Sequence, residues 1–134
     1  SITKLQLKLF LKNLPKIISK NSKYKNIYLA CDDKKIKEIS KKILINNNFN
    51  VYEHKSKYNL KRMRQTSGKD FVTDLFCLSN SKIIISSTGG GVPSTARLLS
   101  TKKIKMINYL DQKNIFYILK ILNYFFFKIR KKIF

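Results

Sequence analysis

Apolar and polar positions follow two different periods along this chain. In some segments apolar residues recur every three or four positions, which is the spacing of one buried helix face. Between them lie short, nearly continuous apolar runs, which are typical of strands buried on both sides. The predicted elements are helix 2–19, strand 26–31, helix 33–45, strand 49–54, helix 70–79, strand 82–87, helix 94–100, strand 103–109 and helix 114–132.

This alternation of strands and helices predicts the fold class. We expect one α/β domain over residues 1–134, a Rossmann-like unit with a mostly parallel sheet of about four strands flanked by helices. Ligands of such sheets bind at the carboxyl ends of the strands, close to helix N-termini. Residues 31–33 and residues 86–94 have that place in the predicted fold, so they are the first candidates for a functional site.

Local signals refine the first two helices. The first helix takes apolar positions from Leu5, Leu9 and Ile18, and Pro15 is expected to kink or divide it. Asp32 is expected to cap the N-terminus of the second helix. Three successive asparagines at 46–48 are expected to end this helix.

The strongest candidate for a ligand site is residues 86–94, which run Ser-Ser-Thr-Gly-Gly-Gly-Val-Pro-Ser. Hydroxyl groups at a strand end, three glycines and a helix start bring backbone N–H groups close to an anion, and the helix dipole adds partial positive charge. This arrangement favours a diphosphate. It is neither a Walker loop nor the dinucleotide fingerprint Gly-x-Gly-x-x-Gly. The alternative is a strand-to-helix turn that binds nothing.

Charged side chains supply the other candidates. Asp32 and Asp33 follow a buried strand, where they bind a sugar hydroxyl or a metal ion, or only cap the next helix. Asp74 interrupts an apolar helix face and, unless it is partly exposed, needs a partner, either the N–H donors of a purine base or a nearby lysine. Arg62 and Arg64 lie in a polar loop, where they clamp a phosphate or are simply solvated.

The formal net charge of +22 raises the question of a nucleic-acid partner. However, 25 of the 29 basic residues are lysine, and they are spread along the chain among many isoleucines and asparagines. Proteins that recognise a base sequence depend on arginine instead. The charge therefore indicates the composition bias of an AT-rich genome, with general attraction to anionic lipid or nucleic acid at low salt. No specific nucleic-acid partner is expected.

Cysteine and histidine exclude several chemistries. Cys31 and Cys77 form no disulfide framework, and with His54 as the only histidine no metal site is expected. No residue supplies an evident general base for an acceptor hydroxyl. We therefore assign no catalytic residue.

Two segments carry a resemblance to a known family. Residues 28–33, Tyr-Leu-Ala-Cys-Asp-Asp, precede a helix, and residues 74–88 run Asp-Leu-Phe-Cys-Leu-Ser-Asn-Ser-Lys-Ile-Ile-Ile-Ser-Ser-Thr. The first resembles the Ala-Thr-Asp-Asp segment of α-1,6-fucosyltransferases and rhizobial nodulation fucosyltransferases. The second is similar to their Asp-Ile-x-x-Leu-Ser block, which ends in Thr-Phe-Ser-Ser. Together with the residues around them, the two segments cover about residues 26–100.

The resemblance implies a GT-B fold whose C-terminal Rossmann domain binds GDP-fucose without a metal ion. It assigns a sugar-hydroxyl or donor-shaping role to Asp32 and Asp33, and the guanine contact to Asp74. The implied positions of the pyrophosphate loop are Ser87, Gly89, Gly90 and Gly91.

This chain departs from the family in two respects. Gly89 and Gly90 replace the paired serines of the loop, so phosphate contacts would come from backbone N–H groups or from Thr88. The His-x-Arg-Arg block that faces the donor phosphates in the family is absent. We therefore expect weak donor binding and negligible transfer by this chain alone, and a different nucleotide sugar remains an alternative.

The resulting hypothesis is the donor-binding part of a glycosyltransferase, a fragment that uses a GDP-linked sugar and a glycan acceptor in surface polysaccharide synthesis. Its partner is a missing N-terminal domain. The alternatives are a basic α/β module that binds nucleic acid or another polyanion, and an inactive truncated fragment. The candidate donor-binding residues are Asp32, Asp33, Arg62, Arg64, Asp74, Ser86, Ser87, Thr88, Gly89, Gly90 and Gly91.

The last predicted helix, within residues 114–134, is apolar along much of its length and basic at its end. Its uncharged runs are shorter than the roughly 18 residues that span a bilayer. It either lies on an anionic leaflet or packs on the missing domain. The expected location is the cytoplasm, with peripheral contact at the inner face of the membrane.

Overall fold

A computed structural model describes residues 4–55, 67–87 and 90–109. Helices and strands alternate in these ranges in the predicted order, and the predicted helix 114–132 lies outside them. The described elements are α1 (Lys4–Asn21), β1 (Asn26–Tyr28), α2 (Lys34–Asn46), β2 (Asn50–Tyr52), α3 (Gly68–Ser79), β3 (Ile83–Ser86), α4 (Gly91–Leu99) and β4 (Lys105–Asn108).

The strands form two parallel pairs. β1 pairs with β2, with Tyr28 opposite Tyr52, and β3 pairs with β4, with Ser86 opposite Asn108. The α/β class and the parallel pairing are confirmed. A single four-stranded sheet is not shown: the described strands form the pairs β1-β2 and β3-β4, and a cleft lies between the pairs. The strands also have only three or four residues each, fewer than predicted.

The helices cover the strands from two sides. α1 and α2 enclose the larger core, which contains Phe10, Leu11, Leu14, Ile18, Leu44, Phe49 and Tyr109. α3 and α4 enclose the smaller core, which contains Leu75, Ile84, Ala96 and Ile104. Successive residues of β3 serve opposite sides, since Ile84 belongs to the smaller core and Ile85 packs against the larger one. The strands therefore form the middle layer between two pairs of helices.

The ends of α2 follow from asparagine and aspartate chemistry. Asp33, and not Asp32 as predicted, is the N-cap, because the Asp33 carboxylate accepts a hydrogen bond from the N–H of Ile36 at 2.9 Å. The helix ends at Asn46 as the asparagine triplet predicted, and Asn48 adopts a left-handed conformation with φ of 63°.

α1 is one continuous helix that includes Pro15, so the predicted division does not occur. Its buried face contains Phe10, Leu14 and Ile18. Leu5 was expected on that face, but its side chain is 57% exposed because it lies on the opposite side of the helix.

The larger core makes a testable contribution to stability. Leu44 is 1% exposed, whereas the next residue, Ile45, is 51% exposed. We predict that Leu44→Ala lowers the free energy of unfolding by about 2–5 kcal/mol, because it removes buried methyl groups and leaves a cavity. Urea denaturation measures the loss. Ile45→Ala is the control and should change the same quantity by under about 0.5 kcal/mol; equal losses would contradict the described core.

Candidate functional site

A cleft of about 1120 Å³ lies between β1 and β3. Its inner part is lined by apolar side chains of α1 and of the strands. At the carboxyl ends of the strands its lining becomes polar. The polar part contains Asp32 after β1, Ser86 and Ser87 at the end of β3, and Gly90 and Gly91 at the start of α4. The structure therefore brings together residues from both segments that the sequence singled out.

The N-terminus of α4 is the most distinctive part of this polar lining. The helix begins at Gly91, its N-cap is Gly90, and no side chain of a described residue caps it. The first N–H groups of a helix have no partner inside the helix, and they carry partial positive charge. An oxyanion in the cleft can accept hydrogen bonds from them.

Gly91 is not required by the fold itself. The described glycines adopt no positive φ, and a Cβ atom built on Gly91 meets nothing within 4 Å. Any residue would therefore fit the backbone and the space at this position. A ligand that approaches the backbone closely is a physical reason for glycine here.

The two serines of β3 have different surroundings. The Ser86 hydroxyl donates to Oδ1 of Asn108 at 2.8 Å, which ties the end of β3 to the end of β4. Ser87 is half-buried and also lines the cleft. Ser87 is therefore the better placed hydroxyl for a ligand, and Ser86 helps to hold the strand ends together.

Asp32 and Asp33 differ in role: one caps a helix, and the other remains available to a ligand. Asp33 caps α2, so its carboxylate has a structural function. Asp32 is exposed and lines the cleft, and no side chain or N–H group in the described ranges donates a hydrogen bond to it. Asp32 is thus the carboxylate that remains for a ligand.

Asp74 is held by a partner that the sequence did not predict. The hydroxyl of Tyr28 on β1 donates to Oδ1 of Asp74 on α3 at 2.6 Å, and both residues line the cleft. Asp74 is 8% exposed. Burial, and then the bond to Asp74, raise the pKa of Tyr28 far above its ordinary value, so the phenol keeps its proton. The signal that was missed is a polar Tyr28 hydroxyl within an otherwise apolar strand.

A second polar group fastens β2 to α3. Nε2 of His54 lies 2.8 Å from Oδ1 of Asp70, while Oδ2 of Asp70 accepts bonds from the N–H and hydroxyl of Ser67. Ser67 caps α3 in return, which completes a capping box. The spacing Ser-x-x-Asp was the available signal for this helix start. Because His54 is not among the residues that line the cleft, we assign it no role toward a ligand.

Glu53 fastens α2 to the end of β2. Its carboxylate lies 2.6 Å from Nζ of Lys41 and 3.8 Å from Nζ of Lys37. Lys37 also donates to the carbonyl oxygen of His54 at 3.0 Å. The hydrogen bond from Lys41 holds the pKa of Glu53 below its usual value. These contacts fix the chain just after β2.

Other candidates contribute less. Cys31 lines the cleft as a free thiol whose pKa is raised by burial, so it is protonated at neutral pH. Thr88, Gly89, Arg62 and Arg64 lie outside the described residues. Within the described ranges, no three His, Cys, Asp or Glu side chains form a group that could hold a metal ion. None of the helices described combines the length and the apolar character that crossing a membrane requires.

Comparisons with protein-family models, with curated proteins and with solved structures find no match to this chain. We therefore infer its function from the geometry of the cleft.

The division of roles between the two aspartates is testable. We predict that Asp33→Ala lowers the free energy of unfolding by about 0.5–2 kcal/mol, because α2 loses its N-cap. Asp32→Ala is the matched control and should leave stability nearly unchanged. Chemical denaturation of both variants measures this. If Asp32→Ala lowered the free energy of unfolding more than Asp33→Ala did, Asp32 and not Asp33 would be the N-cap, which would contradict the structure.

The Glu53 contacts predict a pH dependence. The pKa of Glu53 is lower in the folded chain than its usual 4.5. The ionised carboxylate therefore stabilises the folded state above about pH 4.5, and this stabilisation is lost as the pH falls through the lowered pKa. We predict that wild type exceeds Glu53→Gln in unfolding free energy at pH 7 and that the difference shrinks in acid. Urea denaturation from pH 7 to pH 3 measures the difference; a constant difference would rule out this contribution.

Proposed function

We propose that this chain is the donor-binding domain of a GT-B-type glycosyltransferase, similar to fucosyltransferases, and that its cleft binds a nucleotide diphosphate sugar. One observation carries the proposal. The uncapped N-terminus of α4, the hydroxyl of Ser87 and the free carboxylate of Asp32 line the polar part of one cleft. A diphosphate needs the first two, and a hydroxylated sugar or ribose needs the third.

The course of the chain supports this location. From β1 the chain passes through α2 to β2, and from β3 it passes through α4 to β4, with α2 and α4 on opposite sides of the strands. In doubly wound folds ligands bind where successive crossovers diverge in this way. We propose that the two parallel pairs are halves of one Rossmann-like sheet of order β2-β1-β3-β4, with the cleft at its switch point.

Each part of the donor has a candidate partner. The diphosphate accepts hydrogen bonds from the N–H groups of Gly91 and Val92, while Pro93, in the same turn, has no N–H to offer. Asp32 accepts from a sugar hydroxyl. Asp74, which Tyr28 fixes through one oxygen, directs its second oxygen to the N–H donors of a guanine base.

The chemistry beyond donor binding requires groups that this chain does not contribute. Transfer to an acceptor hydroxyl needs a general base, and we assign none here. In a GT-B enzyme a second domain closes over the donor and carries the acceptor. We therefore propose a glycan acceptor, a partner domain of the same protein, and a cytoplasmic location with peripheral contact at the membrane. The arrangement needs no metal ion.

The alternative is a module that binds nucleic acid or another polyanion. The exposed carboxylate of Asp32 lies in the polar part of the cleft and forms no ion pair with a described residue. Its negative charge disfavours a polyanion along the cleft, whereas one compact diphosphate bound at a helix N-terminus tolerates it. The alternative therefore fits the cleft less well than a nucleotide sugar does.

The donor site is tested by thermal unfolding with GDP, UDP, ADP and CMP at about 150 mM salt, where surface charge is screened. A ligand of the folded state raises the melting temperature. We predict that GDP raises the melting temperature most.

Gly91→Ala should raise the unfolding free energy of the free chain by about 0.4–1 kcal/mol, because the backbone conformation and the surrounding space accept alanine. The same change should reduce the GDP-induced shift, because the methyl group obstructs the phosphate.

Heparin is the control ligand for this experiment, since it reports attraction to any polyanion. Its effect on the melting temperature should be the same in wild type and in Gly91→Ala. Stabilisation by heparin with none by any nucleotide would contradict the proposed function and favour the polyanion module.

A further inference from the structure

Lysine occurs at every fourth position of α1. Lys4, Lys8, Lys12, Lys16 and Lys20 are all exposed, and we call these five residues the lysine row. A spacing of four residues keeps neighbours on one side of a helix, and the row extends about 24 Å at 1.5 Å per residue. Each step of four residues turns about 40° around the axis, so Lys12 lies opposite the buried face and the row winds gradually around the outer side of α1. The even spread of lysine along the sequence thus becomes a concentrated surface in the fold.

Among the described residues, no negative charge pairs with this row. α1 contains no acidic residue, and none of the ion pairs among the described residues includes a lysine of the row. The described acidic residues lie between β1 and α2, on α2, after β2 and on α3. Lysines four positions apart on a helix repel each other. An anionic surface that binds the whole row relieves that repulsion.

The positive surface continues past the end of α1. Nζ of Lys82, just before β3, donates to the hydroxyl of Tyr24 at 2.8 Å. Nζ of Lys105, the first residue of β4, donates to Oδ1 of Asn21 at 3.2 Å. Both lysines are exposed. These bonds hold two further positive charges beside the last turn of α1, at the amino ends of the strands and away from the polar part of the cleft.

Apolar and aromatic residues identify the kind of partner. Leu5 is seven positions before Lys12 and therefore lies on the same side of α1 as the middle of the lysine row. Its side chain is 57% exposed. Tyr24 is 43% exposed at the other end. Nucleic acid offers no apolar phase to Leu5. The surface of an anionic leaflet offers phosphates to the ammonium groups and acyl chains to an inserted leucine, and tyrosine favours the same interface.

We propose that α1 is a membrane-docking helix, whose lysine row and Leu5 bind the surface of an anionic bilayer with the helix axis parallel to it. This proposal does not depend on donor binding, because the residues involved are separate from the polar part of the cleft. It provides a specific surface for the peripheral membrane contact proposed above.

Sedimentation of the full chain with vesicles tests the proposal. The vesicles contain phosphatidylcholine alone or with about a third phosphatidylglycerol, at near-physiological salt. The row variant is Lys8→Gln, Lys12→Gln and Lys16→Gln. The control variant is Lys35→Gln, Lys42→Gln and Lys69→Gln, which removes the same net charge from exposed positions of α2 and α3.

Wild type is expected to bind the anionic vesicles and not the neutral ones. Each lysine at an anionic surface contributes about a fivefold change in partition, so the row variant should bind roughly a hundredfold more weakly. The control variant should lose much less. Equal losses in the two variants would overturn the proposal, because net charge and not α1 would then determine binding.

A third variant distinguishes a membrane from other polyanions. Leu5→Gln leaves the charge unchanged and alters an exposed side chain, and circular dichroism checks that the variant is folded. It should weaken vesicle binding and leave heparin binding unaltered. If wild type binds heparin or single-stranded RNA but not anionic vesicles, the lysine row serves a polyanion and the membrane proposal is wrong. The GDP-induced thermal shift is also measured in the row variant. If the shift is retained, the donor site is intact, so failure of the membrane proposal is distinguished from failure of the donor site.

Discussion

Burial of one face of α1 against both pairs of strands is the interaction on which the rest of the structure depends. Phe10 of α1 packs on Tyr109, at the end of β4, with ring centroids 5.4 Å apart, and the same core receives Ile27 of β1 and Ile85 of β3. Because no hydrogen bonds join β1 to β3, apolar burial on α1 holds the two sheets side by side. This leaves the cleft between them, and it turns the lysine row outward.

The chemistry of the cleft follows from that separation. On the other side of the strands, the hydrogen bonds of Tyr28 with Asp74 and of His54 with Asp70 connect the first pair of strands to α3. At the carboxyl ends of the strands the cleft presents polar groups. A diphosphate site requires exposed N–H groups and hydroxyls that are not already used by a sheet. The uncapped start of α4 and the hydroxyl of Ser87 meet this requirement, and Asp32 in the same part of the cleft gives the proposed donor site an acceptor for a sugar hydroxyl.

The sequence predicted the elements well because hydrophobic periodicity reports directly which face of each segment is buried. It also identified the two loops that the cleft brings together. It did not predict the interrupted sheet, because the pairing of β1 with β3 depends on packing between distant residues. It placed the cap of α2 on Asp32 instead of Asp33, since neighbouring aspartates have the same propensity and only backbone geometry distinguishes them. The partnership of Tyr28 with Asp74, 46 residues apart, has no local signature.

The most direct test of the central claim is a ¹H–¹⁵N correlation spectrum of the labelled chain during titration with GDP. If the cleft binds the donor, the amide signals of Ser87, Gly90, Gly91 and Val92 shift in a saturable manner, while those of the lysine row remain in place. Shifts confined to α1, or spread over all exposed lysines without saturation, would contradict the account and indicate that the nucleotide is only an anion attracted to a basic surface.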